Sequence, residues 1–199
     1  MGTITLADAL NTPANINKTI RTSADQPIEY TDVVWDDETF PFTQTRRGVN
    51  QKPEMDTNEV ALRFERNAAA DKLYINCQFK HKRKLGATVH PHIHWIQKEE
   101  ALPTWKIDYR WLINGAAVPA TFTPGIEPDT YEAFTYESGN LAQISKWEAI
   151  APPDDDNVSA TLQIKLYRDD NAGPEIALGV EFDIHFQIDT PGSKQEYVK

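Results

Sequence analysis

Apolar and polar residues alternate with a period of two through most of the chain from Val60 onward. Val60, Leu62 and Phe64 point one way, and Ala61, Arg63 and Glu65 the other. Leu73, Ile75, Cys77 and Phe79 alternate with Tyr74, Asn76 and Gln78. In the next run Val89, Ile93 and Trp95 share one side, with His90, His92 and His94 opposite. Trp105, Ile107, Tyr109, Trp111 and Ile113 then alternate with Lys106, Asp108 and Arg110. The last two runs are the most regular. Val158, Ala160, Leu162, Ile164 and Leu166 form one, and every second residue from Leu178 to Ile188 forms the other. Successive side chains of a strand leave opposite faces of its sheet, so this period predicts half-buried strands.

The punctuation agrees. Asn114-Gly115 stands between two β-like runs and predicts a hairpin, because both positions accept positive φ. Pro119 places the return strand at an edge, or ends it early. Leu141 to Ile150 fits either element: Leu141, Ile144 and Trp147 have helical spacing, yet Gly139 and the flanking turns suit a strand. Pro152-Pro153-Asp154-Asp155-Asp156-Asn157 is a break. About seven or eight strands without intervening helices need a second layer to bury their apolar faces. The expected fold is all-β, an antiparallel two-sheet β-sandwich that is jelly-roll-like. Parallel α/β folds are excluded, since the chain leaves no room for crossover helices.

The sandwich should occupy residues 60–190, with a loop-rich aromatic segment at 35–59 and a polar C-terminal tail at 191–199. Residues 1–34 differ from the rest. Leu6, Leu10, Ile16, Ile20 and Ile28 are scattered singly among Asn, Thr, Ala and Asp and cannot build a core. The stretch is either a disordered tail or an extended arm that orders on a neighbouring subunit. Single aliphatics suit shallow pockets on another surface, which favours the arm.

Composition narrows the function. The 199 residues carry 30 acidic and 20 basic side chains, a formal charge of −10. Phosphate binding needs clustered Lys and Arg, so no nucleic-acid partner is expected. The lone Cys77 excludes an intrachain disulfide framework and a Cys-rich zinc site. No apolar run reaches the roughly 18 residues of a membrane span, and the first residues lack the pattern of a signal peptide. A soluble protein made in a reducing cytoplasm is expected, with no membrane partner.

The strongest chemical candidate is His90-Pro91-His92-Ile93-His94. On a strand its imidazoles project from one face about 7 Å apart, a spacing that makes a metal clip. Glu99 follows His94 by five residues, which resembles the first cupin motif, whose His, His and Glu bind a divalent metal. The second half of that motif has no counterpart here. A metal on His90, His92 and His94, with Glu99 or His185 as a further ligand, competes with a plain polar face. The outward side of the last strand, Glu181, Asp183, His185, Gln187 and Asp189, would complete a His/Asp/Glu cluster if it lay beside the histidine strand. In a three-fold oligomer, one His-x-His per chain would instead supply an axial metal. Trp95, Trp105, Tyr109 and Trp111 suit a sugar-stacking platform by chemistry, but they sit on the core side of their alternation. No nucleophile elbow, P-loop or dinucleotide glycine pattern occurs.

Several fragments together resemble a family of poorly characterised bacteriophage virion proteins. They are Trp35-Asp36-Asp37 leading into Phe40-Pro41, His90 to Trp95, Tyr167-Arg168-Asp169, and Glu181 to Thr190 with Gly192 to Glu196 after. The resemblance spans roughly 35–199 and implies a particle component, without catalytic residues to transfer. The expectation is a non-enzymatic structural protein of the virion, assembled in the host bacterial cytoplasm. Capsid decoration, as a cement protein, is preferred to a tail, baseplate or fibre-adaptor role. A homotrimer is the first expectation, and other virion proteins the partners. A cupin-like metal-dependent enzyme using His92, His94 and Glu99, and a carbohydrate-binding module, are the alternatives. No resident cofactor is expected beyond the candidate divalent metal.

Overall fold

The computed structural model describes residues 33–48, 50, 52–68, 71–126, 128–132, 139–169 and 173–191. These form β1 (Val34–Pro41), β2 (Arg46–Arg47), β3 (Glu54–Asp56), β4 (Ala61–Glu65), β5 (Lys72–Gln78) and β6 (Val89–Gln97). The second half supplies β7 (Trp105–Leu112), β8 (Thr123–Ile126), β9 (Pro128–Glu132), β10 (Leu141–Trp147), β11 (Thr161–Arg168) and β12 (Ile176–Ile188). A 3-10 turn, Phe42–Gln44, follows β1. The expected N-terminal arm, save its last two residues, and nearly all of the C-terminal tail lie outside the described residues. Among the described residues no helix is long and apolar enough to cross a membrane.

Two antiparallel sheets result. The larger runs β3-β4-β12-β6-β10-β9, with β1 also paired to β12, and the smaller runs β2-β5-β11-β7-β8. Apart from the β7–β8 hairpin, the chain changes sheet at each step from β4 to β8 and from β10 to β12. The pairings β4 with β12, β5 with β11, β6 with β10 and β7 with β8 are those of a jelly roll. The long β12 is shared along one side: β4 covers Ile176 to Gly179, and β1 covers Glu181 to Ile188. Its other side pairs with β6 from Leu178 to Phe186.

The core lies between the sheets and follows the alternation closely. Leu73, Ile75, Cys77 and Phe79 are buried against Leu162, Ile164 and Leu166, with Ile93, Phe182, Ile184 and Phe186 from the larger sheet. The Phe64 ring meets the edge of Trp105 at 5.0 Å, and Trp95 packs 6.3 Å from Trp105. Trp95, Trp105 and Trp111 are all buried, and Tyr109 packs against the same core. The aromatic set therefore offers no exposed sugar platform, because its side of the strands faces the other sheet.

Several local expectations shift for physical reasons. Residues 35–59, expected to be loop-rich, contribute β1, β2 and β3, so this segment edges both sheets. Val60 stands in a turn at φ 53°, exposed, and the core side of its run begins at Leu62. Leu141 to Trp147 is a strand, since pairing with β6 on one side and β9 on the other overrides the helical spacing. The Asn114-Gly115 turn does place Gly115 at φ 90°, but the return strand starts only at Thr123, and it is an edge strand. In β12 a register shift between Gly179 and Glu181 changes the phase of the alternation. Ala177 and Gly179 face the core before it, and Phe182, Ile184 and Phe186 after it. Gly179 is required there, because a Cβ would overlap the Phe42 ring.

Two buried arginines tie loops to the sandwich. The Arg83 guanidinium donates to both Asp156 oxygens, at 2.9 and 2.6 Å, and anchors the 152–157 break. Arg168 donates to the carbonyls of Phe64 and Pro174, each at 2.7 Å. The Tyr167-Arg168-Asp169 fragment thus has a structural role.

Candidate functional site

Alternation leaves the histidines on the outer face of the larger sheet. Ile93 and Trp95 point into the core, so His90, His92 and His94 point away from it. Antiparallel register then sets their neighbours. Asp183 stands directly across from His92, Glu181 from His94, and His185 from His90. On the far side of β12, Asp37 stands opposite His185 and Thr39 opposite Asp183. On the far side of β6, Lys146 pairs with His92 and Ile144 with His94. The pairing order of four strands thus converts scattered sequence positions into one surface.

Within that surface three side chains converge. The Nε2 atom of His92 lies 2.6 Å from Oδ1 of Asp183, and Nε2 of His94 lies 3.3 Å from Oδ2. Donor atoms of the three residues all fall within 4.8 Å of one another. His94 and Oδ2 are hydrogen-bonded, and His92 makes the shorter contact, to the buried Oδ1. The Asp183 side chain is only 9% exposed. Burial alone would raise its pKa, but the two imidazoles more than offset this and hold the carboxyl below the usual range. Asp183 in turn raises the His94 pKa, against burial, with Glu181 adding a smaller pull.

The other expected ligands go elsewhere. His90 meets the edge of Trp35 at 5.0 Å between ring centroids, and burial, with His185 nearby, lowers its pKa. His185 places Nε2 3.0 Å from Asp37 and packs its ring 4.3 Å from that of His92. Glu99 lies past the end of β6, where its carboxylate accepts the Glu175 amide at 3.0 Å. It does not join His92 and His94, so the cupin-like triad is not assembled. The residue that completes the group is Asp183, which sequence could place there only on condition that the two strands were neighbours.

Two grooves mark the outer faces, and one of them lies beside this chemistry. One of about 390 Å³ runs over the outer face past Trp35, His90, His92, Ile144, Lys146 and His185. A larger one, about 550 Å³, lies on the outer face of the smaller sheet, beside Arg46, Arg110, Lys165 and Phe122, and away from the histidines. The lone thiol is no nucleophile: burial pushes the Cys77 pKa far up.

Fold and site together define a jelly-roll sandwich with a His/Asp cluster on one outer face. No protein-family model matches the sequence, and no curated protein matches it. Among solved structures the chain is similar to dimeric latent PorU from Porphyromonas gingivalis, with a TM-score of 0.36 and 9% identity. That alignment covers 83% of this chain and 14% of the other. A likeness of this size carries no functional information.

Proposed function

We propose that the chain is a non-enzymatic structural protein of a bacteriophage virion, a β-sandwich subunit that decorates or stabilises the capsid. A tail, baseplate or fibre-adaptor position is the alternative within the same class. The observation that supports this reading is spatial. Tyr167-Arg168-Asp169, at the end of β11, lies in the smaller sheet, but three other fragments that carry the phage resemblance, Trp35-Asp36-Asp37, His90 to Trp95 and Glu181 to Thr190, are distant in sequence. In the fold they belong to β1, β6 and β12, and β12 pairs with both of the others. The outward-facing residues of these three fragments therefore share one face of the larger sheet.

That face also suits attachment. Trp35 is 45% exposed there, a large aromatic of the kind that anchors protein interfaces. Jelly rolls build viral capsid subunits, and also lectins and cupins, so the architecture is support by analogy only. In this reading residues 1–34 act as an arm on a neighbouring subunit, and the body assembles as a homotrimer. Ordering an arm costs on the order of 1–2 kcal/mol per residue of backbone entropy, which requires extensive partner contact.

The test is occupancy of purified particles. Virions from the genome that encodes this chain should contain the wild-type protein in symmetric multiples, with its density on the capsid exterior. Deleting residues 1–34 should weaken attachment while the sandwich stays folded, and Trp35→Ala should lower occupancy. A chain absent from purified virions would overturn the proposal. Density on the tail would replace the decoration role by the adaptor role.

A further inference from the structure

We infer that His92, His94 and Asp183 form a binding site for one divalent transition-metal ion, with zinc the best match to the donor set. This is independent of the virion proposal and would hold for an enzyme or a lectin equally. Three observations lead to it. The donors come from two central strands held on both sides: β6 lies between β12 and β10, and β12 lies between β6 and β1. Backbone ladders therefore set the His92–Asp183 cross-strand pair before any ion arrives, so little ordering remains to be done.

The second observation is that both oxygens of one buried carboxylate face imidazole nitrogens. Oδ1 of Asp183 lies 2.6 Å from Nε2 of His92, and Oδ2 lies 3.3 Å from Nε2 of His94. A metal ion can take the place of the proton shared in such a contact, since its ligands are deprotonated imidazole and carboxylate.

The third is that the rings nearest the site are already engaged. His185 packs on His92 and reaches Asp37, and His90 packs on Trp35 with Nε2 3.4 Å from the Thr88 hydroxyl. These contacts limit ring rotation around the site and keep His90 and His185 out of the donor set. Two imidazoles and one carboxylate fit zinc, which takes nitrogen and oxygen ligands in tetrahedral geometry. Structural zinc sites have four protein ligands. Here three are supplied, which leaves the fourth position for water or for a donor from outside the chain. His94, whose side chain is 39% exposed, marks the open side.

The test uses the full chain, stripped with a chelator and dialysed against zinc chloride. Elemental analysis should find about one zinc per chain, since deprotonated imidazole and carboxylate donors bind at neutral pH. His94→Gln and Asp183→Asn should each weaken zinc binding at least tenfold, and His90→Ala should not change it. Because His94 is half exposed and Asn keeps the shape of Asp, both variants should fold, which far-UV circular dichroism checks. Cobalt in place of zinc should give the visible absorption of a four- or five-coordinate site in the wild type only. Zinc at trace stoichiometry, or binding undiminished in His94→Gln and Asp183→Asn, would overturn the inference.

Discussion

Two clusters bury a carboxylate beside groups that can carry positive charge, and they are finished differently. Asp156 receives both arms of the Arg83 guanidinium, and Oδ2 also accepts the Gly86 amide at 3.0 Å. The guanidinium lies over the Phe79 and Trp111 rings, 5.1 and 5.6 Å from their centroids. Every oxygen of that carboxylate has a partner, so the pair acts as a latch. Asp183 faces two imidazoles instead, with Nε2 of His92 2.6 Å from Oδ1 and Nε2 of His94 3.3 Å from Oδ2. An imidazole, unlike a guanidinium, has a lone pair to offer once its proton is lost, so a cluster of this chemistry can exchange a proton for a metal ion. The difference separates a buried charge kept for stability from one with capacity left over.

Mutations can break this contrast in order of size. Asp156→Ala would strand the Arg83 guanidinium in the core and should cost about 3–5 kcal/mol, measured by urea denaturation and unaffected by zinc. Next comes the increment that a ligand adds. Zinc at a hundred times its dissociation constant should stabilise the wild type by about 2.7 kcal/mol and Asp183→Asn by nothing. Without metal, Asp183→Ala should cost about 1–3 kcal/mol, less than Asp156→Ala, because it leaves imidazoles rather than an always-charged guanidinium without their carboxylate. An Asp183→Ala loss as large as that of Asp156→Ala would erase the distinction.

The smallest effect concerns Asp36, a more exposed carboxylate of β1. Burial pushes its pKa up, but contacts with Lys82 and Lys80 outweigh this and hold it below the usual carboxylate range. A depressed folded-state pKa contributes stability that is present above the unfolded value and lost as pH falls through the folded one. Asp36→Asn should therefore cost less than about 1 kcal/mol at neutral pH and flatten the loss of stability on acidification. Denaturation midpoints between pH 7 and about pH 3 measure it.

The alternation that predicts strands also predicts the core, because a sandwich buries one face of each sheet. Leu73, Ile75 and Cys77 on β5 and Leu162, Ile164 and Leu166 on β11 follow it without exception. It fails where the backbone leaves the regular ladder. Val60 falls in a turn, and the shift after Gly179 reverses which residues of β12 face inward. Neither event has a periodic signal. Residues 35–59 mislead for another reason: Trp35, Asp36 and Asp37 carry polar and aromatic side chains that do not read as a strand. Their pairing partner is β12, at the other end of the chain.

The site was legible in half. His92 and His94 are recognisable as a pair two residues apart on a strand. Their third partner depends on register, which brings Asp183 across from His92 and beside His94, from which it is 89 positions away in sequence. Glu99 is nearer in sequence, yet the chain turns away after Gln97 and spends that carboxylate on the Glu175 amide. The Asp-Ile-His pattern at 183–185 was the available signal, since it repeats the spacing of the His-x-His strand.

Zinc titration of histidine-labelled protein, followed by nitrogen NMR of the imidazoles, tests the coordination claim most directly. Five histidines report: His81, His90, His92, His94 and His185. Stoichiometric zinc should move the Nε2 resonances of His92 and His94 to coordinated values and leave those of His81, His90 and His185 uncoordinated. Coordination of His90 or His185 in place of His92, or no change at any of the five, would contradict the account.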